Sequence, residues 1–406
     1  MSRKRSIQDA TGADDAASPA AAKGNQPGAR HIRDVITAVP LVEGGKFLKI
    51  MSWNVNGLKA LVNGKLAVMK KLVATHEPDF LCLQETKIQE SMVDEYRTLL
   101  DGYDSYWSCS TVKKGYSGTA IFVKRSSVGK AATADAPASE PVKKQQTKLS
   151  ALWGAKKESS AEPSEAAEAS SSSGDVVAQL ERVSYDFEDE GQKQFHGEGR
   201  TITLELDSFF LVACYVPNAG EGLVRLNYRV DEWEVHMRAY LQALSERKPV
   251  VYTGDLNVGH LDLDIHNPLS KKINMQPALT PQERGAFSQM LAQTGFRDAF
   301  RDMYPDAQGQ FTYWSQRTFA RPVNKGLRLD FFVCSSSMYA GSGDKAGAES
   351  GEEEVAAPAP VEERVLPAPA VDYAALPSPG VYDSYILHAD TVGCSDHCPV
   401  LLVVKM

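Results

Sequence analysis

Apolar positions in this chain fall into short dense runs, separated by longer stretches in which they recur every three or four residues. The runs "FLKIMSWNV" (47–55), "DFLCLQE" (79–85), "GTAIFVK", "TITLEL", "FFLVACYV", "PVVYTGDLN", "LDFFVCS" and "CPVLLVVK" have the length and composition of strands. "LAVMKKLVATH" and "VRLNYRVDEWEVHMRAYLQALSER" have helical spacing instead. So does "TPQERGAFSQMLAQTG", which opens on a Thr cap, places Pro at the first helical position and Glu in the first turn, and closes on Gly. Strands and helices alternate, and the strands are numerous. The pattern predicts an α/β chain with more than one sheet.

Three stretches break the pattern. Residues 1–45, 127–177 and 341–380 are rich in Ala, Ser, Glu, Pro and Gly, as in "EAAEASSSSG" and "EEEVAAPAPVEE". Such text offers too little apolar surface to offset the entropy of ordering it. It reads as a disordered tail and two disordered insertions in a single domain spanning residues 46–406. The insertions also explain the charge. The formal net charge is −8, yet between Tyr339 and Asp383 there are two basic and nine acidic residues. Outside that segment the chain is close to neutral, which leaves room for a basic face. No apolar run is long enough to cross a membrane, and no secretory signal is expected at the N-terminus. The six cysteines form no CxxC pair and suit reduced structural thiols in an intracellular compartment.

Strand after strand in this pattern ends on polar side chains. "SWNVNG" carries Asn54 and Asn56 two residues apart, which in an extended chain share a face. "LCLQET" delivers Glu85, "CYVPNAG" Tyr215 and Asn218, and "GDLN" Asp255 and Asn257. "LRLDFF" holds Asp330 inside an apolar run, and "GCSDHCP" carries Asp396 and His397. One strand-end Asp is ordinarily a turn former, and one His a satisfied core group. Six such ends in succession point to a site at one rim of the fold. The oxygens of Glu85, Asn56 and Asp396 suit a hard divalent ion such as Mg2+, with Mn2+ as a substitute. There is no nucleophile elbow, so an activated water is the expected attacking group. Metal, base, oriented His and amide donors together point to hydrolysis of a phosphate ester.

With "LQETK", "YVPNAGEGLVRLNYR", "GDLNVGH", "LTPQER", "GLRLDFF" and "SDHCPV" in this order, the sequence resembles the exonuclease III family of apurinic/apyrimidinic (AP) endonucleases of base-excision repair. The resemblance covers about residues 47–124 and 182–406, apart from the acidic insertion. It implies a four-layered α/β sandwich like that of DNase I, with two packed sheets flanked by helices. It also implies a monomer acting on double-stranded DNA at abasic sites, with incision 5′ to the lesion and additional 3′-phosphodiesterase or 3′–5′ exonuclease activity. On this resemblance Glu85 is the principal metal ligand, aided by Asn56 and Asp396, with Asp255 and Asn257 also in the metal set. Asp255 deprotonates the attacking water and Asn257 orients it. His397, held by Asp330, binds the scissile phosphate together with Asn218 and Tyr215. Tyr313, Trp314, Leu327 and Leu329 fall where the family builds its pocket for the abasic sugar. Lys87, Arg225, Lys271, Lys272, Asn274 and Arg317 are expected on the DNA backbone. The chain departs from the family's vertebrate branch at Asn56, Leu327 and Glu221, where that branch has Asp, Trp and Arg.

Two short motifs lie outside the resemblance. "SRKRS" near the N-terminus is expected to direct the protein to the nucleus, and Asp9, Asp14 and Asp15 argue against a mitochondrial presequence. Within the first insertion, Gln146, Leu149, Leu152 and Trp153 resemble a sliding-clamp-binding motif. The residues at i, i+3 and i+4 fall on one face of a helical turn.

Overall fold

The computed structural model describes residues 32–130, 176–187, 195–341 and 364–406. In chain order these form β1 (Val35–Ile36), β2 (Phe47–Asn54), α1 (Leu58–His76), β3 (Phe80–Gln84), α2 (Val93–Tyr96), β4 (Tyr103–Ser108), β5 (Thr119–Lys124) and β6 (Val128–Lys130). There follow β7 (Ala178–Tyr185), β8 (Thr201–Leu206), β9 (Phe210–Tyr215), α3 (Glu234–Ser245), β10 (Val250–Asp255), α4 (Pro281–Thr294), β11 (Arg297–Asp298) and α5 (Ala299–Met303). The last elements are β12 (Asp330–Cys334), β13 (Val365–Leu366), β14 (Gly380–Ile386) and β15 (Val400–Lys405).

The strands form a six-stranded sheet in the order β14-β15-β2-β3-β5-β4 and a seven-stranded sheet in the order β11-β12-β10-β9-β8-β7-β6. Alternation along each strand decides what lies between them. Leu48 and Ile50 of β2 and Phe80 and Cys82 of β3 pack against Ile202 and Leu204 of β8, Leu211 of β9 and Val251 of β10, filling the space between the sheets. Their neighbours point the other way. Met51, Trp53, Leu81 and Leu83 pack under α1 through Leu58, Leu61, Met69 and Leu72. On the second sheet, Phe210, Val212, Val250 and Tyr252 pack under α3 and α4 through Met237, Leu241, Phe287 and Met290. Each such side chain contributes about 1.5–3 kcal/mol by burial. The result is the expected four-layered α/β sandwich. Among the described residues no helix is long and apolar enough to cross a membrane.

Several sequence boundaries move. The chain enters α3 through a turn of π-helix at Tyr228–Trp233, where one continuous helix was expected. Strands β4, β7 and β14 were missed because "YDSYWS", "AQLERVSY" and "GVYDSYI" mix polar and charged residues with apolar ones. Residues 32–45 and 364–380, expected to be disordered, are packed on the domain. β1 pairs with β13 in parallel, and Arg364 forms an ion pair with Asp34 at 2.9 Å. The Val39 amide donates to buried Asp383 at 2.7 Å. The Tyr373 ring packs on Phe47, with centroids 5.4 Å apart. A few anchors fix text whose average composition hides them. Strand β6 (Val128–Lys130) and residues 176–177 likewise lie inside the expected first insertion.

Register then builds the rim. β9 and β10 run parallel, β12 runs antiparallel to β10, and Tyr215, Asp255 and Asp330 are direct neighbours across the three strands. In the other sheet β2 and β3 are parallel and end together at Asn54 and Gln84.

Candidate active site

The polar strand ends of both sheets converge, and Asn54 joins them. Its fully buried side-chain amide donates to Glu85 Oε1 at 3.1 Å and to Asp255 Oδ2 at 2.8 Å. Its carbonyl oxygen accepts from the Asn56 amide at 3.0 Å. Asn54 was seen in the sequence as the partner of Asn56 but was given no role. The signal was its place as the polar last residue of the buried strand β2. Tyr215 forms a second link between the sheets, donating its hydroxyl to Glu85.

On one side of Asn54 lies an oxygen-rich cluster. Glu85, Asn56 and Asp396 come together as expected, and Asn56 Nδ2 donates to Asp396 Oδ1 at 3.0 Å. Lys87, expected on the DNA backbone, instead reaches back into this cluster. Its Nζ is 3.0 Å from Glu85 Oε2 and 2.6 Å from Asn56 Oδ1. Burial pulls the Glu85 carboxyl up, but the Lys87 charge and the hydrogen bonds from Asn54, Lys87 and Tyr215 outweigh it and hold Glu85 below its ordinary value. Among the described residues there is no group of three or more His, Cys, Asp or Glu arranged to hold a metal. A metal here would rest on carboxylate and amide oxygens together, a donor set that fits a hard divalent cation.

On the other side Asp255 lies 2% exposed at the end of β10. Its Oδ1 accepts from the Asn257 backbone amide at 3.0 Å, and Asn257 itself has a left-handed backbone (φ 48°). Asn257 is tied further, accepting from Asn218 Nδ2 at 2.9 Å and donating to the Val216 carbonyl at 2.9 Å. His397 Nδ1 is 2.7 Å from Asp330 Oδ2, and its Nε2 is 3.8 Å from Asp255 Oδ2. Thr312 Oγ1 accepts from the Leu329 and Asp330 amides, and Ser395 Oγ accepts from the His397 amide. These two positioning hydroxyls carried no visible sequence signal.

Burial is the main force on Asp255. It raises the carboxyl to about 7, with Asp330 and Glu85 adding to the shift and His397 and Asn54 opposing it. For His397 burial acts downward, but the Asp330 and Asp255 carboxylates overcome it and raise the imidazole to about 10. The pair therefore offers a carboxylate poised near neutrality beside an imidazolium, a combination suited to taking a proton and stabilising a developing anion.

The expected pocket residues divide. Tyr313 exchanges two backbone hydrogen bonds of 2.9 Å with Leu327, and its ring lies 5.0 Å from that of His397. Both side chains are half-buried, and the Tyr313 ring faces the site through His397. Trp314 is 2% exposed, packed with Phe311, Ala320 and Cys398 and donating Nε1 to Asn324 at 3.1 Å. Leu329 is buried as well. These two are core side chains. Of the expected DNA contacts, Arg225 is paired with Glu198 and Tyr116, and Asn274 donates to the Pro268 carbonyl. Arg317, Lys271 and Lys272 are exposed. Gln146, Leu149, Leu152 and Trp153 lie outside the described residues.

A further residue braces the loop behind Asp255. Arg229 is completely buried and donates to the Leu256 carbonyl at 2.8 Å and to the Asn257 carbonyl at 3.3 Å, with Glu234 as its ion-pair partner. It stems from "NYR", quoted above only as part of a motif.

Comparison with known proteins agrees with this geometry. Residues 51–397 match the model of the endonuclease/exonuclease/phosphatase family. The chain is 38% identical over 297 residues to the zebrafish (Danio rerio) DNA repair nuclease APEX1, covering 72% of this chain and 75% of that protein. It is 35% identical over 291 residues to a Bacillus subtilis exodeoxyribonuclease, covering 72% and 89%. A DNA-(apurinic or apyrimidinic site) endonuclease of Dictyostelium discoideum is 33% identical over 300 residues, covering 74% of this chain and 65% of that protein. Among solved structures, the AP endonuclease of Leishmania major superposes with a TM-score of 0.59 at 25% identity, covering 91% of this chain and 93% of the other. With motifs, register and fold in agreement, the chain belongs to the endonuclease/exonuclease/phosphatase family of metal-dependent nucleases.

Proposed function

We propose that this protein is a DNA repair endonuclease that hydrolyses the phosphodiester 5′ to an abasic site, leaving a 3′-hydroxyl and a 5′-deoxyribose phosphate. The observation that carries the reading is the Asn54 amide, which binds a candidate metal ligand and a candidate base at once. Similarity to proteins named AP endonuclease and DNA repair nuclease supports the choice of substrate.

Glu85, with Asn56 and Asp396, would hold the ion, and oxygen donors favour Mg2+, with Mn2+ able to replace it. Such an ion supplies neutralisation of charge on the phosphate oxygens. Asp255 takes a proton from water as its oxygen bonds to phosphorus, and Asn257 and Asn218 orient that water and the phosphate. His397, held by Asp330, donates to a non-bridging oxygen as charge builds there. Tyr215 stands near the departing 3′ oxygen. The pocket edge at Tyr313 and Leu327 admits a sugar without its base. Removal of 3′ blocking groups and 3′–5′ exonuclease action are the same hydrolysis at a strand end. Relatives and neighbours named exodeoxyribonuclease and 3′-5′ exonuclease support this extension.

A duplex carrying one tetrahydrofuran abasic analogue, incubated with Mg2+ and again with chelator, tests the proposal. A single nick 5′ to the analogue that requires the ion is expected. An intact duplex, or equal cutting of undamaged DNA, would refute it and favour action on another phosphate ester.

Two proposals concern partners and place. Gln146, Leu149, Leu152 and Trp153 would bind a sliding clamp. In support, the bordering strand β7 begins at Ala178, at the end of the sheet away from the strand ends at Tyr215 and Asp255. A peptide of residues 144–157 should bind the organism's clamp and lose binding on Leu149→Ala with Trp153→Ala. Import directed by Arg3, Lys4 and Arg5 would place the protein in the nucleus, which imaging with the three replaced by Ala would test.

A further inference from the structure

We propose that Lys87 is the protein's own counter-cation for the donors Glu85 and Asn56, and that a divalent ion enters by displacing its ammonium toward the DNA backbone. This rests on the reading that Glu85 and Asn56 hold the ion, and it adds the step by which they become available. Lys87 Nζ lies within hydrogen-bond distance of one oxygen from each, Glu85 Oε2 at 3.0 Å and Asn56 Oδ1 at 2.6 Å. A divalent ion bound to those same oxygens would lie within a few ångströms of the ammonium, where like charges repel. The two cations therefore exclude each other.

The local backbone holds this contact in place. Asn56, Glu85 and Lys87 all have left-handed backbones, at φ 48°, 49° and 54°, a conformation uncommon outside glycine. Hydrogen bonds from Gly57 to the Glu85 carbonyl at 2.8 Å, and from Lys87 to the Ser117 carbonyl at 2.9 Å, fix it. Displacement need not disturb the donors. Glu85 keeps Asn54 on its other oxygen, and Asn56 keeps Asp396 on its amino group. The Lys87 side chain is one-third exposed, so its head can swing to the surface on a flexible stem.

The consequence is linkage. A phosphate that draws Lys87 outward frees the metal donors, and an ion that expels Lys87 supplies the phosphate with a cation. Each ligand tightens the other by the same factor.

Mn2+ binding to the full-length, DNA-free protein, followed by the electron paramagnetic resonance of free Mn2+, tests the proposal. Lys87→Met should bind Mn2+ about tenfold more tightly than the wild type, the scale of a partly screened charge-assisted contact, while Glu85→Gln should bind it weakly. Equal affinity in the wild type and Lys87→Met, with binding lost in Glu85→Gln, would overturn the role of Lys87 and leave the metal reading standing. Unchanged binding in Glu85→Gln would place the ion elsewhere and overturn both. NMR of the lysine ammonium groups gives a second test on the unmodified chain. The Lys87 signal should vanish on saturation with Mg2+ as the group passes to solvent, and its persistence unchanged would contradict displacement.

Discussion

Replacing Asn54 with Leu keeps roughly the side-chain shape and removes the donor that joins the two halves of the site. Two hydrogen bonds to carboxylates disappear, at 3.1 and 2.8 Å. Hydrogen bonds to charged groups contribute about 1.5–3 kcal/mol each. Part of the loss falls equally on ground and transition states, so about 2–4 kcal/mol of barrier is expected, or roughly 30- to 1,000-fold in rate. The pH dependence should move too. The Asn54 hydrogen bond lowers the Asp255 carboxyl, which burial has raised to about 7 with that bond in place. Without it Asp255 holds its proton to higher pH, and less of it is available as a base near neutrality. The acid limb of the rate profile should therefore shift upward. Single-turnover cleavage of an abasic duplex by rapid quench across pH 5.5–9, with DNA affinity measured separately by anisotropy, reads both effects. A near-normal rate with an unmoved acid limb would show that Asn54 is only packing.

Glu85→Gln should raise the Mg2+ concentration needed for half-maximal cleavage, since the carboxylate charge at the cluster is lost; an unchanged titration would move the ion elsewhere. Removing residues 342–363 should leave cleavage and thermal midpoint near normal. Removing 341–380 should lower the midpoint, because β13, Arg364 and Tyr373 are packed on the domain. Equal midpoints would contradict that packing. Trp314→Ala should cost about 3–5 kcal/mol of stability in chemical denaturation, as expected for a buried aromatic, whereas Leu327→Ala, at a half-buried position, should chiefly alter discrimination between abasic and intact DNA. The reverse pattern would exchange their roles.

The layered fold was legible because its central strands are nearly all apolar: β3 reads Phe80-Leu81-Cys82-Leu83 before its first polar residue. The edge strand β4 was not, because the Asp and two Ser of "YDSYWS" interrupt its apolar residues. The acids and amides of the site were legible for a related reason. Polar residues at the ends of apolar runs stand out, and Asp255, Glu85 and Asp330 do so. Their mutual register was hidden, since pairing partners such as Asp255 and Asp330 are set by tertiary structure. Side-chain reach was hidden too. Lys87 could face DNA or turn back on Glu85, and the fold turns it back, with Nζ 3.0 Å from Glu85 Oε2. Trp314 could line the pocket or support it, and its bond to Asn324 settles it into the core.

The proposed reaction is hydrolysis by water attack on the phosphorus 5′ to an abasic site. Its most direct test is cleavage of a natural abasic duplex with Mg2+ in water enriched in oxygen-18, followed by mass spectrometry of both fragments. The account predicts an unlabelled 3′-hydroxyl end and a 5′-deoxyribose phosphate whose phosphate group carries one heavy oxygen, counted apart from the sugar aldehyde oxygen that exchanges with water, and no such products from Asp255→Asn on the same timescale. Label in the 3′-hydroxyl fragment, or an unsaturated sugar left at the 3′ end by elimination, would contradict it.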